Sequence, residues 1–122
     1  MATFEDVRRL GTELPEVTES VSYGTPALKV RSKSFCRMWS DREHDRDDVH
    51  DTEVLVVFCE LDAKPMLLDA HEALFETPHY EGYGAMLVRL ADVGLDDLAD
   101  WLEDSYRLKA PKKLVRQLDA EG

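Results

Sequence analysis

No apolar run in this chain approaches the roughly 20 residues needed to span a bilayer, so no membrane helix is predicted. Its first stretch, MATFEDVRRLGTEL, is interrupted by acidic and basic residues from Glu5 onward, unlike a secretory signal, and a cytoplasmic location is expected. Cysteine is scarce. Cys36 and Cys59 lie inside apolar segments rather than in a CxxC pair, which points to buried thiols and away from a disulfide framework. Positive charge is short as well: 15 lysines and arginines face 26 aspartates and glutamates, leaving a net charge of −11. Such a field repels nucleic acid and anionic membranes at long range, and a phosphate-binding surface would have to overcome it locally.

Signature motifs of catalysis are also missing. No GxSxG elbow places a serine for nucleophilic attack, and no P-loop or GxGxxG turn offers a phosphate cradle, since the glycines of HYEGYG have neither that spacing nor a following helix. The stretch Asp41 to Asp51 offers His44, Asp45, Asp47, Asp48, His50 and Asp51 as superficial metal ligands. It matches neither HExxH nor the EF-hand series and reads as an exposed acidic loop, so no metal and no cofactor is assigned. An enzyme would need a site assembled from distant segments. The plainest form uses His79 as acid or base with a carboxylate or nucleophile in reach, and a non-enzymatic binding module is the simpler expectation.

What is present is one domain's worth of patterned chain, 1–122. Thr3 is a plausible N-cap for a helix carrying Phe4, Val7, Leu10 and Leu14 on one face and ending at Pro15. After the polar connector PEVTESVSYGTP, the segments ALKVR and SFCRMWS read as two strands of a hairpin, and EVLVVFC as a fully buried strand. Asp62 is expected to cap a short helix with Pro65 in its first turn, followed by LFET. TPHYEGYG then forms a turn into the strand AMLVRL. A helix over about Leu95 to Leu108 shows an apolar stripe of Leu95, Leu98, Ala99, Leu102 and Tyr106, Pro111 interrupts it, and KKLVRQL makes a short last helix before a polar tail. Two neighbouring strands too close for a crossover helix predict an α+β fold with a mainly antiparallel twisted sheet and helices packed on one face.

The few cations are clustered. Lys29, Lys33 and Arg37 fall in an acid-free stretch, and Arg107, Lys109, Lys112 and Lys113 form a second run, so local phosphate contacts are available despite the global charge. If Phe35, Arg37 and Trp39 share a strand face, as a period of two requires, they form an aromatic and cationic surface. The alternative is a pocket for a small molecule or protein. It would be formed by SYGTP and TPHYEGYG and lined by Tyr23, Thr25, His79, Tyr80 and Tyr83, provided that the two motifs converge.

Three segments in order, SYGTPALKVRSKSFCRM, TPHYEGYGAMLVRL and YRLKAPKKLVRQL, closely resemble the MmcQ/YjbR family of small bacterial proteins from the first helix nearly to the C-terminus. That resemblance implies a frataxin-like (CyaY-like) arrangement and carries the family's DNA-binding label, attached to a fold described as a double wing. It maps onto Tyr23, Gly24, Thr25, Pro26, Lys29 and Lys33, onto Thr77 to Tyr80 with Gly82 and Tyr83, and onto Ala110, Pro111 and Lys112. The chain departs from the family pattern at Glu81, where many relatives are basic, and at Gly84, where many carry proline. Glu81 would place a negative charge within a phosphate-binding surface.

Overall fold

A computed structural model describes residues 2–121. Helix α1 (Phe4–Gly11) starts where expected: the Asp6 carboxylate accepts the Thr3 backbone N–H at 3.0 Å, satisfying one of the first turn's orphan donors. Six strands follow, β1 (Val17–Ser22), β2 (Thr25–Val30), β3 (Lys33–Met38), β4 (Val54–Phe58), β5 (Leu74–Phe75) and β6 (Ala85–Arg89). They make one sheet in the order β1-β2-β3-β4-β6-β5, with every neighbouring pair antiparallel. Helices α2 (Asp41–Asp47), α3 (Lys64–Ala70), α4 (Leu95–Lys109) and α5 (Lys112–Glu121) complete the α+β architecture, with a 3-10 turn at Pro78–Tyr80.

The core lies between one sheet face and α1, α4 and α5. Val7, Leu28, Val30, Phe35, Leu55, Val57, Met86, Val88, Leu98, Leu102, Tyr106 and Leu114 are all essentially solvent-free there. Strand parity then sends Val54, Val56, Ala85 and Leu87 to the opposite face, where they pack with Trp39 into a second, smaller apolar cluster. That face carries no long helix; α2 and the 3-10 turn lie along its rim.

Several expectations need correction. The connector PEVTESVSYGTP contains β1, an edge strand whose residues are at most half-buried and therefore carry no apolar alternation. Tyr23 and Gly24 join it to β2 at φ 53° and 78°, both positive as in a type I′ hairpin turn. The acidic stretch is not a loop at its start: Asp41–Asp47 is α2, capped by Ser40, whose Oγ accepts the Glu43 N–H while Glu43 returns a bond to the Ser40 N–H. Ala63 rather than Asp62 occupies the N-cap position of α3, without a side-chain bond, and α5 runs on through the supposed tail. Leu95 is exposed, and the buried face of α4 uses Trp101 and Ser105 instead.

Phe35 does not share a face with Arg37 and Trp39. The β2–β3 register steps from Leu28↔Cys36 to Lys29↔Ser34, so Phe35 is an unpaired bulge residue and turns into the helical core, edge-on to Tyr106 with ring centroids 5.7 Å apart. The bulge also orphans backbone groups, and the buried Ser105 hydroxyl satisfies them by accepting the Phe58 N–H at 2.8 Å and donating to the Phe35 carbonyl. Arg37 and Trp39 are thereby left on the face without long helices.

Candidate functional site

On that face a broad cleft of about 640 Å3 opens over a floor of Val56, Phe58, Gly84 and Ala85. At Gly84, where the chain enters β6, a Cβ would come within 2.8 Å of the Cys59 carbonyl oxygen, so a side chain there requires the backbone to shift. One wall is Tyr23, presented by the β1–β2 turn; the other comprises His79, Tyr80 and Tyr83 from the loop before β6. The structure therefore brings four of the five sequence-selected pocket residues together. Thr25 is not among them: it is buried, and its Oγ1 donates to the Ser22 carbonyl at 2.8 Å, closing the hairpin turn.

A polar network underlies the walls. Arg37 grips Glu43 in a two-bond fork, Nη1 to Oε1 at 2.7 Å and Nη2 to Oε2 at 2.8 Å, with both side chains largely buried. Burial alone would raise the Glu43 carboxyl, but Arg37 and the Ser40 N–H outweigh it and hold it at about 2. Tyr80 Oη accepts from Trp39 Nε1 at 3.1 Å and donates to Glu43 Oε2 at 3.4 Å, so its one O–H is in use. The Arg37 guanidinium lies 5.0 Å from the centroid of the Tyr23 ring, a cation–π contact that leaves this tyrosine 85% exposed.

Two further ties hold the loop that carries the second wall. Lys64, 3% exposed at the start of α3, donates from Nζ to the Tyr80 and Tyr83 carbonyls at 2.6 and 3.0 Å and pairs with Glu76 at 2.7 Å. These three acceptors account for all of the ammonium donors. Thr77 Oγ1 donates to Asp47 Oδ2 at 2.8 Å, joining the loop to α2. Neither Lys64 nor Ser105 could be found by pattern, because a lysine reads as surface and a helical serine as neutral. The SxxE box that opens α2 was readable.

The remaining candidates separate. Arg107 is paired with Asp119 and Glu103, at 2.7 and 3.4 Å, and Arg37 with Glu43, so two of the seven expected phosphate contacts already face carboxylates. Lys33, Lys112 and Lys113 are exposed and Lys29 is half-buried. Lys33 and Lys109 share a smaller groove of about 280 Å3 between the β2–β3 turn and the α4–α5 junction. Lys109 also reaches the main cleft, with Nζ 4.1 Å from the Phe58 ring centroid. Glu81 is exposed just beyond the 3-10 turn and lies outside the cleft lining.

For acid–base chemistry, His79 Nδ1 lies 3.5 Å from Asp47 Oδ1, but that carboxylate is already occupied by Arg46 and Thr77. Among the described residues no serine or cysteine lines the cleft. Nδ1 of His44 is taken by the Val49 carbonyl at 2.6 Å, and no group of three or more His, Cys, Asp or Glu residues among those described is placed to hold a metal ion. No described helix is long and apolar enough to cross a membrane.

Comparison with known proteins places this architecture. Mb2600 of Mycobacterium bovis and Rv2570 of Mycobacterium tuberculosis, both described as uncharacterised, are 29% identical to the chain over 128 aligned positions, covering 95% of each protein. The crystal structure of Deinococcus radiodurans DR2400, assigned to the domain family DUF419, superposes with a TM-score of 0.66 at 25% identity, covering 88% of this chain and 78% of that one. The YjbR family model matches residues 12–108, from the end of α1 through nearly all of α4 and so across both walls of the cleft. By sequence model and by fold, the chain belongs to the YjbR family.

Proposed function

We propose that the protein is a non-enzymatic binding module whose ligand is a small molecule held in the cleft on the sheet face away from the long helices. One observation carries this reading: the SYGTP turn and the TPHYEGYG loop, far apart in sequence, supply opposite walls of a single cleft over an apolar floor. At about 640 Å3 the cleft falls within the range of ligand sites, and its mixture of aromatic walls, apolar floor and a few fixed polar groups is the usual composition of one.

A duplex-DNA reading draws less support. Its cations are spread over β2, β3, α4 and α5, two of them are internally neutralised, and the net charge is −11.

A thermal-shift screen of a metabolite library tests the pocket reading, since a ligand bound only by the folded state raises the melting temperature. Hits should stabilise the native protein and lose that effect in Tyr23→Ala and Tyr83→Ala, both exposed positions. If no compound stabilises the protein, or if hits retain their full shift in both variants, the reading fails.

A further inference from the structure

We infer that the cleft selects a planar aromatic monoanion, with its ring against the tyrosines and Phe58 and its charge at Lys109; this inference rests on the pocket reading above. Charge complementarity carries it. Three cations, Arg37, Arg46 and Lys109, line the cleft against a single carboxylate, Glu43, on a chain whose net charge is −11. The cleft is thus a cationic spot in an anionic surface.

Those cations are not equivalent. Arg37 is spent on Glu43 through two hydrogen bonds, and Arg46 on Asp47 through two more, at 3.1 and 2.9 Å. Lys109 makes no ion pair among the described residues. Among the described residues, its contact in the cleft is with the face of Phe58, which satisfies none of its N–H donors. One unmatched cation calls for one anionic charge, and a second charge would meet Glu43 and the adjoining Asp47.

The rest of the lining sets the ligand's shape. Tyr23 and Tyr83 are 85% and 64% exposed, so their rings are open to a ligand, and Phe58 continues the aromatic surface to Lys109. The one O–H of Tyr80 is directed to Glu43 at 3.4 Å, so toward an anion this residue contributes ring surface rather than a donor. A flat ring covers these surfaces without ordering many rotors. The remote acidic groups reduce affinity little at physiological salt, where charges beyond about 8 Å are largely screened.

Titrations with 2-naphthoate, 2-naphthamide and 2-naphthyl phosphate at neutral pH, followed by amide chemical shifts, test the inference on the intact protein. The expected result is that naphthoate binds about tenfold more tightly than naphthamide, the gain of one charge-assisted hydrogen bond. Naphthyl phosphate should gain nothing further over naphthoate. Lys109→Gln should erase the preference for naphthoate and Lys109→Arg should keep it, with unchanged spectra in the absence of probe showing that both variants are folded. Equal binding of naphthoate and naphthamide at the cleft would overturn the anion preference while leaving the pocket standing. Tighter binding of the phosphate, or retained preference in Lys109→Gln, would equally overturn it. Absence of binding by all three probes would overturn it too, and the library screen then decides separately whether the pocket reading survives.

Discussion

The buried ammonium of Lys64 holds the Tyr80 carbonyl at 2.6 Å, tying the first turn of α3 to the loop that forms one wall of the cleft. A second bond to Tyr83 and the ion pair with Glu76 make this lysine the loop's main anchor. Lys64→Met keeps the aliphatic stem but strands two carbonyls and a carboxylate. Glu76 is a third exposed and can rehydrate, so the expected loss is about 2 kcal/mol rather than the larger cost of a wholly buried orphan charge. Urea unfolding measures it. Native-state hydrogen exchange should show amides over 76–84 opening before the rest of the sheet, and uniform protection across that loop in the variant would contradict the anchor.

Acid sensitivity follows from Glu43. Its folded carboxyl, held at about 2, lies below the ordinary value of 4.5, so the unfolded chain binds the proton more readily. The stabilisation is complete above about 4.5 and is lost as pH falls toward 2, with a full value of at most about 3 kcal/mol. Asp47, lowered chiefly by its hydrogen bonds to Arg46, acts with the same sign. The melting temperature should therefore fall below about pH 4.5, and Glu43→Gln should flatten that fall while lowering stability at pH 7. An unchanged acid limb in the variant would sink this account.

Tyr23 offers a separation of folding from binding. Asparagine is the residue best suited to the first position of a type I′ turn before glycine, and it tolerates the left-handed backbone that tyrosine adopts only at a cost. The lost contact with Arg37 is a cation–π pair whose ring face is open to solvent, worth about 1 kcal/mol and similar in size to the relief. Tyr23→Asn is expected to melt within a few degrees of the native protein while losing ligand-induced stabilisation. A large drop in melting temperature would assign the ring a structural role instead.

Duplex DNA provides a contrasting case. With Arg37 and Arg107 already paired, at most five of the seven sequence-selected cations remain, so any binding should show a log–log salt slope no steeper than about −4.5. Fluorescence anisotropy at about 150 mM salt is expected to show no binding to the acidic protein. Tight association at that salt with a steeper slope would reinstate the DNA reading.

Legibility of the molecule in its sequence followed the strength of the physical signal. Val54 to Phe58 and the stripe Leu98, Leu102 and Tyr106 carry apolar patterns that only a buried strand and an amphipathic helix satisfy, and both were readable. Strand β1 was not, because an edge strand whose residues are at most half-buried needs no alternation. The Phe35 bulge left no local trace either; it follows from long-range pairing and from the Ser105 hydroxyl 70 residues away, and it separated Phe35 from Arg37 and Trp39. At the site, Tyr23, His79, Tyr80 and Tyr83 stood out by composition. The fork between Arg37 and Glu43, which decides how many cations are left for a ligand, required the fold.

The two tryptophans give the most direct test of the cleft as the binding site. Trp39 Nε1 donates to Tyr80 Oη beneath one wall, whereas Trp101 lies in the helical core on the other side of the sheet. Titrating 2-naphthoate while following the two indole N–H resonances, with Trp101→Phe to assign them, should move the Trp39 signal progressively and leave that of Trp101 in place. A saturable shift of Trp101 alone, or binding that moves neither signal, would contradict the account.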